Sequence, residues 1–327
     1  MQRDLIRAPK ATAIRTTAAR KYARKSKADR TLDIYATAWA EFQHFAEDLR
    51  SETALPAQPA LVIDYLTDLA EHNAKTSTIQ VKLAAIAWRH RIESCPDPTT
   101  FEDVKAVMAG IRRTLGTAPQ KKAPATLKPV RAMVGALPDS LVGHRNRALL
   151  LIGYAGAFRR SELVALDVAD LRFGEGMLRI TVRRSKTDQE ARGQIKIVPE
   201  MKDKALCPVA ALRAWIDEAG IRSGALFRRI DRHGYVHGRL SAQSVALIVK
   251  EAARRAGLDA RQFAGHSLRS GFITEAAGAD EEGRHIMAQT GHRSEATMRG
   301  YIQDAGRGAA QAVRAAFGEK GTTDRED

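Results

Sequence analysis

The chain has 327 residues, 44% hydrophobic and 28% charged, which suits a globular protein with two separately packed cores. Its formal net charge of +15 points to a polyanionic partner, most simply nucleic acid, with a merely solvated basic surface as the plain alternative. Two distant cysteines, Cys95 and Cys207, exclude a disulfide framework and a cysteine zinc site and fit a reducing cytoplasm, while the longest apolar run, Ala148 to Gly153, is too short for a bilayer.

Residues 1–28 carry nine Lys and Arg side chains against one acid, Asp4. They lack the apolar core of a secretory signal, and a flexible basic arm is expected rather than a transit peptide. Such an arm either tracks phosphates or is only solvated. Order is expected from Thr31. Leu32, Tyr35, Trp39, Phe42, Ala46 and Leu49 recur at steps of three and four, one apolar helical stripe. Pro59 opens a second helix with Leu61, Val62, Tyr65, Leu66 and Leu69 inward. Thr76 or Ser77 caps a third, with Ile79, Leu83 and Ile86 inward. Thr99 or Thr100 caps a fourth carrying Phe101, Val104, Met108 and Ile111. Four amphipathic helices over 29–115 make a small helical domain. Residues 116–128, rich in Pro, Lys, Ala and Thr, read as a linker whose Lys121 and Lys122 suit a strap along a phosphate backbone.

The second domain is expected over 129–306. It holds a buried helix over Arg147 to Ala157 and strands over Met177 to Val182 and Gln194 to Val198. Helices follow over Val209 to Ala219, from Ser241 to Gly257, over Ser267 to Ala277 and over Glu281 to Thr290. The fold class is mainly α with a small antiparallel β-sheet. The tail, 307–327, has an apolar helical face through Ala309, Val313 and Phe317.

Five short motifs carry chemistry. Phe-Arg-Arg-Ser-Glu-Leu offers Arg159 or Arg160, with Glu162 as an orienting carboxylate. Arg-Arg-Ser-Lys-Thr-Asp offers Lys186 between the two strands, with Lys196 as a weaker competitor and Arg184 as a DNA contact. Gly-His-Ser-Leu-Arg puts His266 and Arg269 one helical turn apart, with Ser267 as the expected N-cap. Thr-Gly-His-Arg offers His292, and Tyr301 follows nine residues later, just after Gly300. A phosphodiester repels nucleophiles, and attack puts more charge on its nonbridging oxygens. Two arginines can grip both oxygens, a lysine can protonate the leaving oxygen, and a phenol can attack. Of six tyrosines, Tyr35 and Tyr65 lie on apolar stripes and Tyr154 in an apolar run. Tyr22 is in the arm and Tyr235 in a Gly-flanked turn, which leaves Tyr301. His233, His237 and His285 lack ligand partners at metal-binding spacing, so no metal and no cofactor is expected.

In this order and spacing the motifs resemble the tyrosine recombinase (phage integrase) family, across about residues 30–305. The resemblance implies a helical core-binding domain followed by an α+β catalytic domain, together clamping double-stranded DNA. It places the family's arginine three residues before Glu162, which selects Arg159 and leaves Arg160 as a DNA contact beside Lys121, Lys122 and Arg184. The implied catalytic set is Arg159, Lys186, His266, Arg269, His292 and Tyr301, with Glu162 in support. Tyr301 would form a 3′-phosphotyrosyl link without metal or ATP. Four protomers would assemble on inverted-repeat half-sites through exchanged tails, with or without accessory proteins, in a bacterial, phage or plasmid setting in the cytoplasm. Arg145-Asn146-Arg147 stands where relatives lead one to expect Arg-Asp-Arg. The alternatives are a type IB topoisomerase-like enzyme and a non-catalytic DNA-binding relative.

Overall fold

The three- and four-residue apolar steps of the N-terminal half do form helices. The computed structural model describes residues 17–118, 122–183, 193–279, 281–292 and 294–300, and the chain divides into two compact units, 1–120 and 121–327. The first unit consists of α1 (Thr17–Lys25), α2 (Asp29–Gln43), α3 (Pro59–Glu71), α4 (Thr76–Ile92) and α5 (Glu102–Leu115). The inward faces of α2 to α5 meet in one core, through Phe42, Leu61, Leu66, Ile79, Ile86, Val104 and Met108, whereas α1 forms inside the segment that the sequence reads as a flexible arm and adds no described residue to that core.

Three further local expectations fail, each for a physical reason. Leu49 is exposed, because the chain turns into a π-helix at His44–Leu49. That wider turn slips the stripe after Ala46, which faces inward as expected, and brings in Phe45 in place of Leu49. Neither Thr76 nor Ser77 caps α4: Lys75 holds the N-cap position, and Thr76 Oγ1 donates to the Gly116 carbonyl at 2.6 Å. Thr99 and Thr100 lie in a short 3₁₀ turn, capped by Asp97, while Phe101 precedes α5 and is exposed.

The second unit contains α6 (Leu127–Gly135), α7 (Leu141–Ala155) and α8 (Arg160–Ala165). Then come β1 (Leu171–Gly174), β2 (Met177–Val182), β3 (Gln194–Pro199), α9 (Pro208–Glu218), β4 (Arg228–Ile230) and β5 (Val236–Arg239). It ends with α10 (Ala242–Arg255), α11 (Ser267–Gly278), α12 (Gly283–Thr290) and α13 (Glu295–Arg299). β1, β2 and β3 form an antiparallel sheet in that order, and β4 and β5 form a separate hairpin. The fold is thus mainly helical with small antiparallel sheets. Ser241 caps α10 as expected, accepting from Ser244 N at 3.1 Å. Ser267 does not cap α11; His266 occupies that position, and Ser267 Oγ accepts from Ala264 N instead.

Alternation along β3 leaves its inward face undecided until the sheet packs. The outcome is that Lys196 and Val198 point inward and Ile195 and Ile197 outward. Lys196 lies opposite Ile180 in the ladder. Lys186 and Arg184 belong to the β2–β3 connection; with Lys121, Tyr301, the tail and the first part of the basic arm, they lie outside the described residues. No described helix is long and apolar enough to cross a membrane.

Residues 122–126 are pinned to the second unit rather than standing away from it. Ala123 N donates to Gln262 O and Ala125 N to Ser267 O, both at 2.8 Å, and Lys122 Nζ donates to Arg261 O. Gly271 in α11 makes room for this strap: a Cβ there would stand 1.8 Å from the Ala125 carbonyl oxygen. Gly153 similarly lets α7 approach Leu268 of α11. Neither backbone can be moved cheaply, so Gly271→Ala is expected to destabilise the second unit by about 1–3 kcal/mol, read from urea unfolding.

Candidate active site

Arg269 is completely buried, one turn into α11. Its Nη1 donates to the Ala157 carbonyl at 2.6 Å, and its Nη2 contacts His292 Nε2 at 2.9 Å. Ala157 ends the turn after α7 with φ +46, a left-handed conformation that an alanine adopts at a cost. That strain aims its carbonyl at Arg269. A guanidinium only donates, so His292 Nε2 accepts, and the imidazole proton resides on Nδ1. His292 Nδ1 then donates to Thr290 Oγ1 at 2.9 Å. Gly291, in the left-handed region at φ +71, ends α12 and turns His292 back toward α11.

Arg159 is held just as firmly. It is the N-cap of α8, with Glu162 in the first turn. Arg159 N–H donates to Glu162 Oε2 at 3.0 Å and Arg159 Nη1 donates to Glu162 Oε1 at 2.6 Å. Glu162 is buried, so breaking this ion pair would leave one partner buried without the other. Arg160 is exposed, and its side chain runs across Gly265, where a Cβ would stand 2.3 Å from Arg160 Cδ. It therefore lies beside His266, which is itself exposed.

Lys196 is the residue that sequence reading underrated. It is fully buried, its Nζ stands 5.0 Å from the Phe158 ring centroid, and it donates to the Gln289 carbonyl. Its pKa falls to about 7 through burial, with Arg269 and Arg159 pushing the same way and Glu162 opposing. Both site histidines are held down to about 4. For His266, which keeps an exposed edge, the causes are partial loss of hydration and then Arg269, Arg159 and Arg160. For His292 they are burial and then Arg269, Arg159, Lys196 and His266. Both imidazoles are neutral at pH 7. Arg159 and Lys196 share one carboxylate, Glu162, with Arg269 close enough to act on Lys196 and both histidines, and the surplus positive charge favours an anion.

The structure brings together Arg159, Glu162, His266, Arg269 and His292, and adds Lys196, Thr290 and the Ala157 carbonyl. Lys186 and Tyr301 lie outside the described residues. Tyr154 in this unit packs edge-on to Phe272, and burial pushes its pKa up, the reverse of activation. Tyr235 is exposed in the β4–β5 turn. Among the described residues no cluster of three or more His, Cys, Asp or Glu could hold a metal ion.

Residues 126–307, more than half of the chain, match the phage integrase family. The chain belongs to that family. The integrase/recombinase xerD homolog of Selenomonas ruminantium is 39% identical over 284 residues, covering 85% of this chain and 83% of that protein. Tyrosine recombinase slr0733 of Synechocystis is 29% identical over 224 residues, 66% of this chain and 64% of that protein. The chain is a tyrosine-type site-specific recombinase, which displaces the topoisomerase-like and non-catalytic alternatives. Its fold is that of XerH bound to a palindromic difH substrate (TM-score 0.66, 16% identity, 92% of this chain and 82% of that one). It is also that of a lambda integrase dimer bound to a COC′ core site (TM-score 0.60, 15% identity, 88% and 76%).

The recombinase's histidines set a pH dependence. Unfolding returns each to an ordinary pKa near 6.5, well above the folded value of about 4. Between those values the unfolded chain binds more protons, so stability falls as pH drops from about 6.5 toward 4. Urea unfolding across that range should show the loss, and His292→Gln should flatten the slope.

Proposed function

We propose that the recombinase cleaves and rejoins double-stranded DNA through a 3′-phosphotyrosyl intermediate on Tyr301, without metal or ATP. The observation that carries this reading is the cluster of Arg159, Lys196 and His266 around Glu162, with Arg269 paired to His292 beside them. The Tyr301 oxygen attacks phosphorus, and the 5′ oxygen leaves with a proton from Lys186. Arg159 and Arg269 take the growing charge on the nonbridging oxygens. His266 is the base: its ring is neutral and reaches the surface, whereas both His292 nitrogens already bond Arg269 and Thr290. The 5′ hydroxyl of a partner strand then reverses the step. Met298 of α13 packs with Ile273 and Ile286, which anchors the segment leading to Tyr301 against α11 and α12.

The relatives bound to difH and to a COC′ core site support DNA as the partner. On this reading the helical domain over 29–115 grips DNA together with Arg160, Arg184, Lys121 and Lys122. Four protomers assemble on inverted half-sites through the tail at 307–327. The enzyme works on DNA in the cytoplasm.

The test is a covalent-adduct assay on a nicked suicide substrate, built from half-sites selected out of random DNA. Tyr301→Phe should bind normally and trap no adduct, while Tyr235→Phe should trap as much as wild type. Arg159→Ala and Arg269→Ala should each slow cleavage by about a hundredfold or more, roughly 3 kcal/mol, with a milder effect from Arg160→Ala. An adduct on Tyr301→Phe would refute the assignment.

Lys186→Ala should cleave ordinary DNA slowly, because the leaving alkoxide loses its proton donor. A substrate with sulfur at the bridging 5′ position leaves as a thiolate without help, and should restore the rate. No rescue would place Lys186 in binding rather than proton transfer.

A further inference from the structure

We propose that Lys196 is a positioning residue for the active site: its buried Nζ donor caps the C-terminal end of α12 and so fixes His292 against Arg269. The kinetic part of this proposal rests on the DNA-cleavage reading above; the structural part does not.

The last four carbonyls of a helix have no partner inside it and must find one elsewhere. In α12 the Met287 carbonyl accepts from Gly291 N at 2.7 Å. The next two carbonyls are taken by side chains of β3. Gln194 Nε2 donates to Ala288 O at 2.7 Å, and Lys196 Nζ donates to Gln289 O. Gln194 and Lys196 stand two residues apart on one face of the strand, so they meet consecutive carbonyls of the helix end. A cation is the favourable capping charge at that end.

The seam is closed from the other side. The Gln289 side chain accepts from Ile197 N at 3.4 Å and donates to Ile197 O at 2.9 Å and Ala155 O at 2.8 Å. It thus serves the free edge of β3 as a further strand residue would. Gly291 rests against Gln194, where a Cβ would stand 2.4 Å from Oε1. Directly after the carbonyl that Lys196 holds come Thr290 and His292, whose ring bonds Thr290 on one side and Arg269 on the other. The line from Lys196 to Arg269 is therefore continuous. A lysine amine buried beside Arg269 and Arg159, its pKa lowered to about 7, is a costly way to fill a core position. A stable fold alone would be served by an apolar side chain here.

The decisive variant is Lys196→Met, which keeps the stem and the Phe158 contact and removes the donor. Four readouts are taken on the full-length protein: the Kd for the selected half-site, the melting temperature, single-turnover adduct formation, and the ring-nitrogen NMR signals of His292, assigned with His292→Gln. The expected result is a Kd within about twofold of wild type, a melting temperature not lowered, and cleavage slower by about tenfold to a hundredfold. The His292 signals should move away from the Nδ1–H form. Lys196→Arg, which keeps a charged donor, should cleave faster than Lys196→Met. Cleavage at the wild-type rate, or unmoved His292 signals, would overturn the proposal. So would a loss of melting temperature and DNA binding in step with the rate, which would make Lys196 an ordinary core residue. If wild type itself forms no adduct on any DNA, the phosphotyrosyl reading fails, and the His292 signals still decide the role of Lys196.

Discussion

The burial of the Arg269 guanidinium is the constraint on which the catalytic unit turns. A charged group with no exposure must be fixed by directed partners, since a mobile or half-satisfied one would cost several kcal/mol. Ala157 accepts a left-handed backbone to present its carbonyl, and His292 gives up an imidazole nitrogen. Those two partners come from the end of α7 and the turn after α12, so one side chain ties three elements together. The glycines at 153 and 271 serve the same end, because α11 can bring Arg269 to that point only by packing closely on α7 and on the strap at 122–126.

Charge follows from that geometry. With Arg269 fixed, Arg159 locked to Glu162 and Lys196 beneath them, positive groups crowd a place that water reaches poorly. The site answers by keeping both imidazoles neutral and by lowering the lysine. A bound phosphate would reverse these pressures, since an anion stabilises every cation around it. The tautomer of His292 matters here. In this structure its Nε2 accepts from Arg269, so donation to a phosphate oxygen would require the ring to exchange that partner.

Most helices were legible because an apolar stripe of the right period has one stable solution, burial of that face. Phe42, Leu61, Leu66, Ile79, Ile86, Val104 and Met108 all went where their spacing put them. Leu49 did not, because a single wide turn rotates everything after it. Thr76 and Thr99 looked like helix caps, since hydroxyls next to a helix start usually are. Their hydroxyls instead found Gly116, far along the chain, and Asp97. β1, β4 and β5 are only three or four residues long and carry too little periodicity to be read.

For the site, sequence by itself determined the inventory: Arg159 with Glu162 three residues on, His266 with Arg269 three residues on, His292 after a glycine, and Tyr301 near the end. Those spacings are local, and helix geometry converts local spacing into a shared face. What only the tertiary structure decided is the pairing across distance. Arg269 meets His292 from 23 residues away, Ala157 from 112, and β3 caps α12 from 93. It also decided that the lysine face of β3, not the isoleucine face, turns inward. A period of two says that the faces differ but not which is buried. That choice belongs to whatever packs on the strand, here a helix end whose carbonyls need donors.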